Sequence, residues 1–183
     1  NIGKARGNMV VDIGGGTCDV AVISLGGIAA SRSIKVGGDA FDESIVNHMK
    51  KAHNLLIGKN TAEDIKIKIG SVSSYDGEGA MDVKGRNLTD GLPKSVEITS
   101  AEIRDVLAEP VSKIIAAIKE TLEVTLPELA ADIIDRGIYL AGGSSQLRGL
   151  PELISKETKM QVHIPEKPLD CVALGTSIKL RRA

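Results

Sequence analysis

Three short apolar runs open the chain and are separated by glycines. Met9 to Val11 with Ile13 lead into Gly14-Gly15-Gly16, Val20 to Ile23 lead out, and Ile28 to Val36 follow Leu25-Gly26-Gly27. Valine and isoleucine fit a pleated, half-buried surface, and glycine pairs mark tight turns. The pattern therefore predicts a three-stranded antiparallel meander with short links. With Gly15 and Gly16 at the centre of the first turn, Gly14 pairs with Thr17, Ile13 with Cys18 and Asp12 with Asp19. Glycines are expected there because hairpin turns that match strand twist use positive φ.

The period then changes from strand to helix. After Val36-Gly37-Gly38-Asp39, where Asp39 is placed to cap a helix, Phe41, Ile45, Met49 and Ala52 recur every three or four residues as one stripe. His48 and His53 flank it and are expected in solvent. Thr61 with Asp64 reads as a variant capping box before a short helix carrying Ile65 and Ile69. Ser71 to Ala80 is a polar, Gly-rich loop. Short strands at Met81–Lys84 and Ser95–Ile98 flank Gly85 to Pro93, whose residues are turn formers. Thr99 with Glu102 makes a full capping box. Pro110 is expected to stop or kink the helix that follows, because it has no N–H to donate. Val111, Ile114, Ile115, Ile118 and Leu122 then form a stripe wide enough to lie on a sheet. Pro127 opens a short helix ending near Gly137. Ile138–Ala141 is a strand, and Gly142-Gly143-Ser144-Ser145 leads towards a helix through Lys156. Gln161–Ile164 is a last strand, and Leu169–Arg182 a closing helix in which Gly175 permits close packing.

Composition narrows the function. The 183 residues are 42% hydrophobic with only 2% aromatics, so the core must be aliphatic and base stacking on nucleic acid is not expected. A net charge of -1 gives no reason for a polyanion partner. Cys18 and Cys171 lack metal-ligand spacing and read as reduced cytosolic thiols. No apolar run approaches the roughly 20 residues that cross a bilayer. The first strand follows a polar lead, Asn1 to Asn8, so abruptly that a fragment is expected.

The candidate chemistry sits in the first hairpin. A plain hairpin does not need three consecutive glycines, nor an acid on each side of them. Bare N–H groups at Gly14, Gly15 and Gly16 can cradle phosphate oxygens, and the Thr17 hydroxyl can donate to one. Asp12 and Asp19, opposed across the turn, repel each other unless a cation lies between them. Taken alone, Glu63, Lys66 and Lys68 are solvated charges, the glycine turn after Ile138–Ala141 is a weak signal for a helix-end anion site, and Arg148 is structural.

Asp12-Ile13-Gly14-Gly15-Gly16-Thr17 resembles the second phosphate loop of actin-like ATPases. With Gly142-Gly143-Ser144-Ser145, the closing helix, Thr61 to Ile69, Asn87 to Pro93 and Leu126-Pro127-Glu128-Leu129, the chain is similar to the C-terminal half of the bacterial actins of the MreB/Mbl family from Met9 to about Leu180. The resemblance implies an α/β, actin-like (ribonuclease-H-like) fold: an inner lobe of residues 1–38 and 99–183, with an outer lobe of residues 39–98 inserted. It implies ATP and Mg²⁺ as ligands. Asp12, with Asp19, would serve the metal; Gly14 to Thr17 the β- and γ-phosphates; Glu63 and Lys66 the ribose and base; and Gly142, Gly143, Ser144 and Ser145 the adenosine. It implies a parent that forms filaments in the cytoplasm, guides the cell-wall synthesis machinery and determines rod shape. Membrane contact would come only through the other half of the fold. That half would also supply the first phosphate loop and the water-activating acid, so this part alone is expected to be inactive as an ATPase. A DnaK-type chaperone ATPase fragment and a non-catalytic actin-like scaffold are the alternatives. Cys18-Asp19 in place of Thr-Glu, Ser144 in place of a third glycine and Ser177 in place of another glycine depart from the family's usual pattern.

Overall fold

The computed structural model of the chain describes residues 6–180, apart from the side chains at 176 and 178–180. The chain builds two sheets. The first is five-stranded, with β1 (Asn8–Ile13), β2 (Cys18–Ser24), β3 (Gly27–Ile34), β7 (Ile138–Ala141) and β8 (Val162–His163) in the order β3-β2-β1-β7-β8. β1, β2 and β3 are antiparallel, whereas β7 and β8 run parallel to β1. The second sheet, in the order β4-β5-β6, joins β4 (Leu55–Leu56), β5 (Ala80–Asn87) and β6 (Pro93–Thr99). Helix α1 (Gly38–His53) links the first sheet to β4, and α2 (Lys59–Ile69) links β4 to β5; α3 (Ser100–Glu123), α4 (Pro127–Arg136), α5 (Leu150–Thr158) and α6 (Cys171–Leu180) follow the second sheet. One continuous aliphatic cluster runs from Met9, Val11 and Val20 through Phe41, Ile45 and Ile65 to Ile103, Ile114 and Leu140.

The first hairpin has the expected register: Asp12 faces Asp19, Ile13 faces Cys18, and the Gly14 N–H donates to the Thr17 carbonyl at 2.9 Å. Alternation buries Val11, Ile13, Cys18, Val20 and Val22 and leaves Asp12 half-buried and Asp19 exposed. The expected reason for the glycines is corrected, since neither Gly15 nor Gly16 has positive φ. Left-handed geometry appears instead in the next turn, at Leu25 (φ 51°) and Gly26 (φ 77°), which suits the twist of a two-residue hairpin.

Several local expectations change. Asp39 does not cap α1: the N-cap is Gly37, and Asp39 lies inside the first turn with its N–H donated to the Gly15 carbonyl at 2.8 Å. Thr61 is inside α2, which begins two residues earlier behind Gly58. Thr99 does cap α3, accepting from the Glu102 N–H at 3.2 Å. His48 and His53 are half-buried rather than solvated, and both turn to the Glu102 carboxylate. Pro110 neither stops nor divides α3, which is one helix of 24 residues. A proline inside a helix costs about 3 kcal/mol. Ile103 and Leu107 before it and Val111, Ile114 and Ile118 after it are all buried, at about 1.5–3 kcal/mol each, and only an unbroken helix keeps these on one face.

The strands β5 and β6 pair along seven positions, from Ala80–Thr99 to Arg86–Pro93. Much of the segment expected as a turn is therefore ladder, and the reversal is confined to residues 88–92. The chain after Ser145 also differs. A short 3-10 turn, Gly143–Gln146, intervenes before α5, which starts only at Leu150. The closing helix begins at Cys171 behind a 3-10 turn at Pro168–Asp170; its expected end at Arg182 lies outside the described residues. The close packing expected at Gly175 is not seen among the described residues: Leu174 is 55% exposed and Gly175 faces open space.

Candidate functional site

A cleft of about 950 Å³ opens at the end of the first sheet, beside α1 and α2. Its floor is the end of β1 with Gly14 and Gly15. One wall is the start of α1 with Asp39 and Asp42, another is α2 with Glu63 and Lys66, and the far side is the turn after β7 with Gly142, Gly143 and Ser144. Two stretches separated by well over a hundred residues meet here because β7 lies parallel to β1, with Asp12 beside Ala141. The contact is close. A Cβ on Gly142 would stand 2.3 Å from the Ile13 carbonyl and 2.5 Å from Asp12 Oδ1, and its φ is +82°, so only glycine fits. Ser144 Oγ donates to the Gly14 carbonyl at 2.9 Å and ties the two loops together.

The hairpin glycines are different. A Cβ on Gly14 would meet nothing nearer than 3.6 Å, and on Gly15 or Gly16 nothing nearer than 3.9 Å, at Asp39 Oδ2 beside both. Turn geometry does not demand them and neither does internal packing. Gly37 is the reverse case, with Gly14 and Gly15 carbonyl oxygens only 2.6 Å from its Cβ position. The hairpin thus presents bare backbone on its open side while α1 is packed tightly behind it.

Of the residues singled out in the sequence, Asp12, Gly14, Gly15, Glu63, Lys66, Gly142, Gly143 and Ser144 line the cleft. Gly16 and Thr17 stand exposed at the hairpin tip, and Thr17 Oγ1 donates to Asp19 Oδ2 at 2.9 Å. Ser145 is corrected: it is buried, and its hydroxyl closes its own turn on the Gly142 carbonyl at 2.7 Å. Lys66 is not a free cation, because its Nζ lies 2.8 Å from Asp42 Oδ1 in a largely buried ion pair. Arg148, expected to be structural, donates to the Gly70 carbonyl and stacks 4.4 Å from the Tyr75 ring centre, and it also lines the cleft.

Sequence reasoning missed Asp39 and Asp42 as lining residues. Asp39 had a ready explanation as a cap. Asp42 sits one place after Phe41 in the apolar stripe, and a buried acid there was itself the signal. The electrostatics single out Asp12: burial first, and then the charge of Asp19 across the ladder, push its carboxyl above the ordinary range. The same causes push the Cys18 thiol up to about 12, so Cys18 stays a protonated core side chain.

The family model described as MreB/Mbl protein matches residues 1–183. The chain belongs to the MreB/Mbl family. It is 49% identical over 177 residues to the cell shape-determining protein Mbl of Bacillus subtilis (strain 168), covering 97% of this chain and 53% of that protein. It is 47% identical over 174 residues to the cell shape-determining protein MreB of Escherichia coli (strain K12), covering 95% and 50%. Among solved structures, MreB 5 of Spiroplasma citri bound to AMPPNP superposes with a TM-score of 0.94 at 43% identity, over 97% of this chain and 54% of that one. The same protein is also known bound to ADP. MamK, at 22% identity and a TM-score of 0.73, shares the fold. The fold is therefore actin-like α/β, and the MreB/Mbl relatives are favoured over DnaK-type chaperones. The chain spans about half the length of the curated relatives it matches.

Proposed function

We propose that the cleft holds the adenine nucleotide of a filament-forming, shape-determining actin-like protein. The observation that carries this is the meeting of the bare Gly14–Gly16 hairpin with the Gly142–Ser144 turn across one cleft, in a family member whose relative MreB 5 was solved with AMPPNP and with ADP. Gly15 and Gly16 offer backbone N–H groups to phosphate oxygens, with Thr17 beside them at the tip; Gly14 shapes the loop instead, its N–H being donated to the Thr17 carbonyl. Gly142 and Gly143, which line the cleft, would stand beside the sugar. Glu63 faces the cleft as the acceptor for ribose hydroxyls, and Lys66 acts through its pairing with Asp42.

Asp12 and Asp19 fit a Mg²⁺ ion held partly through its own waters, as this cation prefers. They are two carboxylates set opposite one another, which a hairpin built for stability alone avoids. Bound there, Mg²⁺ would neutralise phosphate charge. We read residues 39–98 as the outer lobe inserted between the two parts of the inner one. Filament growth follows the relatives: MamK is known as a double helical filament. Guidance of cell-wall synthesis, a cytoplasmic location, and membrane contact through parts outside this chain belong to the same proposal.

The test uses a protein of the relatives' full length that carries this chain, titrated with a fluorescent AMPPNP analogue and Mg²⁺. Gly15→Ala fills the open side of the hairpin without a clash, its Cβ meeting only Asp39 Oδ2 at 3.9 Å. It is expected to weaken binding at least about tenfold, near 1.4 kcal/mol, with an unchanged melting temperature. Unchanged affinity would remove the hairpin from the site. Absence of binding by the unmodified protein would favour the non-catalytic scaffold.

A further inference from the structure

We propose that His48, His53 and Glu102 form a binding site for a zinc-class divalent ion, separate from the nucleotide cleft. The three side chains come from two helices. His48 is in the last turns of α1, His53 is its final residue, and Glu102 is in the first turn of α3. The Nε2 atoms of both histidines lie 2.5 Å from the same oxygen, Glu102 Oε1, and the three donor atoms fall within 4.8 Å of one another. The rings meet edge to face, with centroids 5.7 Å apart and planes at 75°. Their nitrogens therefore converge while their bodies stay clear of each other.

The donor set selects the ion. Two imidazole nitrogens and one carboxylate suit Zn²⁺, Co²⁺ or Ni²⁺, whereas Mg²⁺ and Ca²⁺ demand oxygen ligands throughout. Two histidines with one glutamate is also a known three-ligand zinc set that leaves the fourth position to water. The side chains are 26%, 22% and 26% exposed for His48, His53 and Glu102, which leaves an open side for that water.

Zinc bonds of about 2.0–2.2 Å at tetrahedral angles set donor atoms about 3.3 Å apart. The present 2.5 Å contacts open by about 1 Å to reach this, through rotation of the three half-buried side chains. Around the cluster, Lys94 Nζ is held on the His53 carbonyl at 3.1 Å, and Lys50 and Lys51 lie in the last turn of α1. Thr99 fixes the backbone under Glu102. His48 lies ten residues along α1 from Gly38 at the cleft, about 15 Å at 1.5 Å per residue. An ion here joins α1 to α3 at the end of α1 remote from the cleft, and stabilises the fold by mass action.

The test is calorimetric titration of ZnCl₂ into the metal-stripped chain with Mg²⁺ in excess, with thermal melts alongside. One saturable site per chain and a raised melting temperature are expected. His48→Gln with His53→Gln should weaken binding at least about tenfold, the scale of losing metal ligation. Imidazole NMR of the unmodified chain gives an independent reading, since it has only three histidines. Resonances of His48 and His53 should shift in step with one equivalent of Zn²⁺ while His163 stays still. No saturable binding, equal affinity in the double variant, or a response at His163 instead would each overturn the site.

Discussion

Asp12 shows how much one side chain carries here. Its position was legible from the sequence because an apolar run, three glycines and a second apolar run fix the register of the hairpin. Its neighbours were not. Asp39 comes to the glycines through the packing of Gly37 under the Gly14 and Gly15 carbonyls, and the Ser144 hydroxyl reaches Gly14 from 130 residues away. Contacts at that separation leave no periodic trace in a chain. The consequence for Asp12 is a definite sign. Its folded-state carboxyl is raised above the unfolded value by burial and by Asp19. The folded chain therefore binds more protons between the two values, and stability falls as pH rises through that window. Asp12→Asn should stabilise the Mg²⁺-free chain at neutral pH by about 0.5 kcal/mol, the scale of an opposed like-charge pair. The gain should vanish in acid below the ordinary carboxylate range. Asp19→Asn should give a smaller gain because Asp19 is exposed and accepts from Thr17. Urea melts at both pH values measure this; a loss of stability at neutral pH would make the acids structural.

At the scale of elements, strands and stripes were legible and ends were not. The meander, the β7 strand Ile138–Ala141 and the buried face of α1 follow directly from apolar spacing. The cap at Asp39 failed because Gly37 packs closely under the Gly14 and Gly15 carbonyls, and the cap at Thr61 failed because α2 already begins at Lys59 behind Gly58. The solvated reading of His48 and His53 failed because the partner that draws them in, Glu102, belongs to another helix. Pro110 is the clearest case of tertiary packing overriding a local rule. Its ring is buried in α3, yet it leaves one backbone carbonyl a turn earlier without its usual donor. Pro110→Ala restores that donor, worth about 3 kcal/mol by intrinsic preference. It also removes two buried methylenes at about 0.8 kcal/mol each. The expected net is stabilisation by about 1 kcal/mol, read from a raised urea midpoint with unchanged m-value. A lowered midpoint would show that the ring fills its site better than the helix suffers from it.

For the whole molecule, the actin-like fold and its family were legible because three motifs stand in order along the chain, while the state of the cleft was not. Ile67 and Leu169 line that cleft, yet they are 65% and 69% exposed. Apolar side chains so placed in a family whose members run to about twice this length mark a cleft with one wall open. In-line phosphoryl transfer needs a held water, a metal on the phosphates and groups clamping both sides of the reacting phosphorus. Of the four acids in the cleft, Asp42 is held by Lys66, Asp12 lies on the floor beside Gly142, Asp39 stands exposed beside Gly15 and Gly16, and Glu63 stands exposed on α2. On the proposed reading, this chain alone offers one face to a nucleotide and leaves the γ-phosphate open. Phosphate release at saturating ATP and Mg²⁺ should not rise above background for the chain alone, and should do so for a protein of the relatives' full length. Steady turnover by the isolated chain that disappears in Asp12→Ala would show that these residues suffice for catalysis and that the open wall is no obstacle to it.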